Sequence, residues 1–177
     1  MYLLGAQSRA HLAGVHADMV RVVDHAIQIS TQDFGVAEGV RSDADQLRDW
    51  MRHTSKLNGI PVGKIRNGVH GTGRGNHQLA ADGFGHATDL VPYVNGVILW
   101  SAVPPAQQWD YIYPVAAAMH AAAIAENVDL RWGGVWDRKL RDLPGTVAGL
   151  RQSVADYCTR HPGPDFLDGP HFELVLL

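Results

Sequence analysis

The chain has 177 residues, 46% of them hydrophobic and 19% charged, which is the size and composition of one ordinary folded domain. Its net charge of −3 excludes a strong electrostatic footprint for nucleic acid or for an anionic membrane. A single cysteine, Cys158, excludes an internal disulfide framework and a cysteine-based zinc finger; no apolar run reaches the ~20 residues of a membrane span.

Taken in chain order, Met1-Tyr2-Leu3-Leu4-Gly5 has neither the basic start nor the apolar length of a secretory signal. Val15, Met19, Val22, Val23, Ala26 and Ile27 recur at helical spacing and predict a helix over 15–30. Asp33-Phe34-Gly35-Val36 ends it and begins a short extended segment. Ser42 is placed to cap a helix running to His53, with Asp45 in its first turn. Residues 58–76 hold six glycines and a proline and read as a long loop or loose hairpin, a length that in compact domains points to function or disorder. Ala87 to Val94 reads as a strand, Asn95-Gly96 as a two-residue hairpin turn, and Val97 to Trp100 as the returning strand. The alanine-rich stretch 106–126 is helical, with Pro114 at a first turn or a kink. Arg131 to Trp136 forms a tight aromatic turn. A further helix is expected over about 145–160, where Cys158 would serve as a small buried hydrophobe. Pro170 to Leu177 alternates like a strand. Helices and short strands in this mixture predict an α+β fold.

Three features carry chemistry. His77 follows the glycine-rich segment, Asp89 opens the predicted hairpin, and Asp168-Gly169-Pro170-His171 precedes the last strand. A catalytic metal needs three ligands of the His, Asp or Glu type and an open fourth position, and two histidines with one aspartate supply that set. An unligated carboxylate three residues before a ligand is placed to act as general base. Each position has a plainer reading. A lone histidine is more often hydrogen-bonded or exposed, and Asp-Gly-Pro is more often a turn. Glu173, two residues beyond His171, shares its strand face and could orient a ligand or lie exposed at an edge. Trp132 and Trp136 read either as core packing or as a substrate platform.

As an ordered set, these segments resemble a known family. Ser8 through Val23, Glu38-Gly39-Val40-Arg41-Ser42 with Gln46, Gly85 through Tyr93 with Asn95-Gly96, Trp109-Asp110, Arg131-Trp132-Gly133-Gly134 and Asp168-Gly169-Pro170-His171-Phe172-Glu173-Leu174 are similar to stretches of the bacteriophage L-alanyl-D-glutamate endopeptidases (endolysins) of the M15 zinc peptidase group. Their relatives are D-alanyl-D-alanine peptidases. The resemblance implies an antiparallel sheet with helices packed on it. It also implies one domain over 1–177 without a separate wall-binding module, and Zn2+ held by His77, Asp89 and His171. Asp168 would be the catalytic carboxylate, and Arg41 would face the substrate carbonyl; the plainer reading of Arg41 is a salt bridge to Asp43 or Asp45. Gln46, Trp132 and His86 are expected to contact substrate, with Gln46 alternatively a solvated or Arg41-bonding residue and His86 pocket-lining at most.

The chain departs from the family pattern in three ways. The usual spacing from ligand histidine to ligand aspartate would place Asp82, not His77, in the first position; an insertion of about five residues within Leu79–Phe84 restores His77. The segment from Arg138 to Phe166 is longer than the pattern and is expected to add a surface helix. Val135 stands where an aspartate follows Gly-Gly. The function implied is hydrolysis of the L-alanyl-D-glutamate bond of the peptidoglycan stem by a monomer that has no nucleic-acid or membrane partner and waits in the host cytoplasm until lysis. A D-alanyl-D-alanine carboxypeptidase and a non-catalytic zinc-stabilised wall-binding module are the alternatives. The net charge argues against electrostatic attraction to an anionic wall as the means of targeting.

Overall fold

A computed structural model describes residues 1–163 and 167–175. In chain order the elements are α1 (Ala6–His11), α2 (Ala17–Ile29), β1 (Phe34–Glu38), α3 (Asp43–Met51), β2 (Ile65–Arg66), β3 (Val69–His70), β4 (Ala87–Val94), β5 (Val97–Ile98), α4 (Leu99–Ala102), α5 (Pro105–Ala125), β6 (Leu130–Trp132), β7 (Val135–Lys139), a 3-10 turn (Leu140–Asp142), α6 (Val147–Arg160) and β8 (His171–Leu174). The main sheet is antiparallel in the order β1-β4-β8-β6-β7, with β5 added beside β4.

The sheet's two faces have different tasks because successive side chains of a strand point to opposite sides. Leu130 stands opposite Leu174, and Trp132 opposite Phe172; all four are buried and join the core. Met19, Val22, Val23, Ala26 and Ile27 of α2 and the alanine-rich body of α5 complete that core. Helix α5 is buried on nearly all sides because α2, β4 and α6 all pack on it, so it needs small residues rather than one apolar stripe. On the opposite face, Asp89 stands directly across from His171, and Glu173 from Arg131. Strand register therefore gathers four chemically active side chains, drawn from three parts of the chain.

Helix α2 covers all but the ends of its predicted range, and Ser42 caps α3, its hydroxyl accepting from the Asp45 N–H. Asn95-Gly96 makes the hairpin turn as expected, with φ of 52° and 77°. Several expectations change. The strand after that turn stops at Ile98, and Leu99–Ala102 is helical because Leu99 turns inward to full burial. Pro114 sits inside α5, and it is Pro105 that occupies the first turn. Residues 131–136 are two strands joined at Gly133-Gly134 rather than an isolated turn. Of the two readings of the 58–76 segment the hairpin holds: it is β2–β3, whose turn is Asn67-Gly68 at φ of 52° and 78°. The last predicted strand is seen from His171; Leu176 and Leu177 lie outside the described residues, as do 164–166 of the long 138–166 segment.

Helix α1 has no counterpart in the predicted elements. It lies along β1, the outer strand, where the Ser8 hydroxyl accepts from the Val36 N–H at 3.0 Å and the His11 Nδ1–H donates to the Val36 carbonyl at 2.7 Å. Among the described residues no helix is long and apolar enough to cross a membrane.

Candidate metal centre and catalytic cleft

Asp89 and His171 meet because they are register partners on β4 and β8. His77 reaches them from the loop before β4, which is fastened on both sides of the ring: the Arg41 N–H donates to the His77 carbonyl at 2.9 Å, and the His86 N–H to the Asn76 carbonyl at 2.7 Å. The His77 Nδ1–H donates to the Gly39 carbonyl at 2.6 Å. That bond fixes the tautomer and leaves the Nε2 lone pair facing inward. His77 Nε2 lies 3.2 Å from Asp89 Oδ1 and 3.2 Å from His171 Nδ1, and those last two atoms are 3.1 Å apart. Donors bound at 2.0–2.1 Å around a tetrahedral ion stand ~3.3 Å from one another, so this triangle has the dimensions of three corners of such a site. Among the described residues it is the one group of three such side chains that could hold a metal.

The surrounding groups orient these donors. His171 Nε2 donates to Glu173 Oε2 at 3.3 Å, which turns Nδ1 toward the centre. Glu173 is held in turn by Asn76 Nδ2 at 2.6 Å and Arg131 Nη1 at 2.9 Å. Burial pushes the Glu173 carboxyl up, but the bonds from His171 and Asn76 keep it below its ordinary value. Burial likewise opposes ionisation of Asp89, and the His171 and His77 rings beside it overcome that penalty, holding the carboxyl far below the usual range. For His171, burial pulls downward and the bonds to Asp89 and Glu173 raise it to about 9. Two anionic carboxylates beside the His77 and His171 rings create a site that attracts positive charge, whether a proton on His171 or a metal in its place.

The turn carrying Asp168 is held at each of its four carbonyls. Asp168 C=O accepts from His171 N–H at 3.1 Å, Gly169 C=O from Trp132 Nε1 at 2.7 Å, Pro170 C=O from Leu90 N–H and His171 C=O from Gly133 N–H, both at 2.9 Å. Burial and the nearby Asp89 charge raise the Asp168 carboxyl above its ordinary value. A Cβ on Gly133 would stand 2.2 Å from the Asp168 carbonyl oxygen. Gly133→Ala must therefore displace the turn, and urea titration should show a loss of about 1–3 kcal/mol together with weakened metal binding.

Arg41 is clamped rather than free. Its Nε and Nη2 donate to the two oxygens of Glu38, the former at 2.5 Å, and Nη1 donates to Gln46 Oε1 at 3.1 Å. Asp49 lies 3.6 Å from Nε. The Glu38 hydrogen bond outweighs burial and raises the Arg41 pKa, so the guanidinium stays charged. Its partners are thus Glu38 and Asp49, not the Asp43 or Asp45 suggested by proximity in sequence. Gln46 is buried, and its amide also donates to Ser55 Oγ and the Leu57 carbonyl. With these bonds it positions Arg41 on the wall of the cleft, which Gln46 also lines.

Arg41, Gln46, Lys56, Arg74, Trp136 and Asp168 line, with the three donor residues, a cleft of about 520 Å³. Two expected contact residues lie elsewhere. Trp132 is 0% exposed, packs among Trp109, Tyr113 and Phe172, and acts from beneath by holding Gly169. His86 bonds Asp82 at 2.8 Å and packs edge-on to His16, outside the cleft. Asp82 is accordingly engaged with His86 on the exposed 79–84 loop, away from the donor triangle. Trp136 takes the cleft-facing place, its ring 5.3 Å from that of His171. Glu38 and Asn76 were not singled out from sequence; each adjoins a noted motif, Glu38 three residues before Arg41 and Asn76 just before His77.

Known proteins share this arrangement of chain. The protein is similar to the L-alanyl-D-glutamate peptidase of Escherichia phage T5, with 26% identity over 136 residues, 77% of this chain and 82% of the relative. It is also similar to the crystal structure of the L-Ala D-Glu endopeptidase ChiX of Serratia marcescens, with a TM-score of 0.62 and 27% identity over 98% of this chain and 90% of that one. The sequence profile of the phage L-alanyl-D-glutamate peptidases matches residues 1–145, and the chain belongs to that family.

Proposed function

We propose that this protein is a zinc-dependent peptidoglycan endopeptidase that hydrolyses the L-alanyl-D-glutamate bond of the bacterial stem peptide. The observation that carries the reading is the triangle of His77 Nε2, Asp89 Oδ1 and His171 Nδ1, with Asp168 and Arg41 on the same cleft. Two imidazoles and one carboxylate form a donor set that suits zinc and leaves a fourth position open, as catalytic sites do. The named activities of the two similar proteins and of the family support the choice of bond.

When bound, zinc supplies Lewis-acid polarisation and acidifies water toward a pKa of ~7. The chain's own groups do the rest. Asp168, a partly desolvated carboxylate, takes a proton from the water that attacks the alanyl carbonyl carbon and delivers one to the departing nitrogen. The C–N bond breaks, leaving a carboxylate on alanine and an amine on D-glutamate. Arg41, held still by Glu38 and Gln46, turns its remaining N–H groups to the carbonyl oxygen as negative charge develops there. The Asp168 turn, tied at every carbonyl, keeps the base from drifting as the reaction proceeds.

Mass spectrometry of fragments released from purified sacculi tests the choice of bond. A new amino-terminal D-glutamate is expected. Loss of terminal D-alanine would make the protein a carboxypeptidase, and equimolar zinc binding without any fragment would make it a binding module.

A further inference from the structure

Charge is distributed unevenly along this chain. It has 15 Lys and Arg and 18 Asp and Glu, yet residues 50–81 contain Arg52, Lys56, Lys64, Arg66 and Arg74 and not one carboxylate. The segment is one physical object. It leaves α3 at Arg52, extends into the β2–β3 hairpin and returns through Arg74 to His77. Its base is pinned by Asn58, which is 1% exposed: its amide donates to the His70 carbonyl at 2.6 Å, and its side-chain oxygen accepts from Ile60 N–H at 3.1 Å and Thr72 N–H at 3.0 Å. Gly59 N–H donates to the Gly73 carbonyl at 2.8 Å across the same base. Beyond that base the hairpin stands in solvent, with Val62 and Ile65 77% and 61% exposed.

The acid that pairs with this arm is Asp43 of α3, which lies 3.2 Å from Arg74 and 3.8 Å from Arg66. One carboxylate is shared by two guanidinium groups. Among the described residues, no carboxylate pairs with Arg52 or Lys64 within 4.0 Å. At the base of the arm, Lys56 and Arg74 form part of the cleft wall. The cationic arm thus adjoins the cleft, whose lining also includes Asp89, Asp168 and Glu173.

We propose that the arm over residues 52–74 is a docking surface for the carboxylates of peptidoglycan stem peptides that neighbour the stem being cut. This rests on the endopeptidase reading. Glutamate has two carboxyl groups and only one continues the chain, so every stem presents a free carboxylate on the residue that follows the scissile bond. Stems recur along a wall polymer, which makes the intact wall a polyanion at the spacing of its repeats. The arm meets that surface with several cations at once. Screening at about 0.1 M salt confines each charge's influence to ~10 Å, so the anionic remainder of the enzyme does not cancel the attraction at the arm. The net charge of −3 pointed away from electrostatic targeting because a whole-chain sum hides a cationic wall segment inside an acidic protein.

The test uses the full chain in two double variants of equal charge change. Lys64→Glu with Arg66→Glu alters the hairpin, outside the cleft; Arg9→Glu with Arg21→Glu alters α1 and α2. Each is assayed for co-sedimentation with purified sacculi, for cleavage of a short soluble L-alanyl-D-glutamyl peptide, and for binding to vesicles containing anionic phospholipid. In about 50 mM salt the hairpin variant is expected to bind sacculi about tenfold more weakly, a difference that shrinks at about 500 mM, while soluble-peptide turnover stays at the parent rate. The α1/α2 variant is expected to bind sacculi as the parent does. Equal loss in both variants would show that only net charge matters and would overturn the proposal. Unchanged sacculus binding by the hairpin variant, or a loss confined to vesicles, would also overturn it, the latter in favour of a lipid partner. Failure of the parent to cleave the soluble peptide would sink the endopeptidase reading instead, leaving the sedimentation result to decide the docking surface by itself. The neutral pair Lys64→Gln with Arg66→Gln, expected to show a smaller loss of the same sign, guards against misfolding of the reversed hairpin.

Discussion

Asp168→Asn should lower cleavage of peptidoglycan by about 10²–10⁴-fold while the protein still binds one equivalent of zinc. The amide matches the carboxylate in size and cannot accept the proton. Asp168 contributes no atom to the donor triangle, and its turn is held through backbone carbonyls that the substitution leaves in place. Steady-state kinetics on sacculi, with metal analysis of the same sample, checks both halves. Full activity in Asp168→Asn would remove the residue from the reaction. Loss of zinc would recast it as a structural support of the site.

His77→Ala should abolish both metal retention and turnover. Two donors remain, Asp89 and His171, and the cavity in place of the ring leaves the Gly39 carbonyl without its donor. Metal that binds only the folded chain stabilises it by about 2.7 kcal/mol at a free concentration 100 times its dissociation constant. Stripping the parent with a chelator should therefore lower its melting temperature toward that of His77→Ala, and the chelator should not lower the variant further. A variant that still bound zinc with parental affinity would show that the metal uses other donors. Asp82→Ala is the companion measurement: because Asp82 bonds His86 on an exposed loop, zinc content should stay at the parental level.

Local pattern carried much of the architecture. The apolar spacing of α2, the Ser42 cap and the Asn95-Gly96 turn are written in neighbouring residues, and they form as that pattern predicts. Asn67-Gly68 carries the same signal as Asn95-Gly96 and decides for the hairpin in a segment that reads by composition as a long loop or a loose hairpin. Helix α1 and strands β6 and β7 were not legible because each is short and is held by distant partners: Val36 for α1, and β8 for β6.

The donor residues were legible through ordered motifs, whereas their supports were not. Glu173 reaches His171 along its own strand, but Asn76 reaches Glu173 across 97 residues, and no local rule announces that pairing. Trp132 illustrates the opposite limit. An aromatic beside two glycines looks the same in sequence whether it faces a ligand or the core, and only the sheet's sidedness places it inward.

The pairing of Ser8 and His11 with Val36 bears on how the outer edge of the sheet is closed. Together they counterfeit the neighbour that an outermost strand would otherwise seek. A shortened version starting after His11 would present a bare template along β1, and two such molecules could zip together into a shared sheet. Guarding that edge thus falls to two side chains of the first helix, Ser8 and His11.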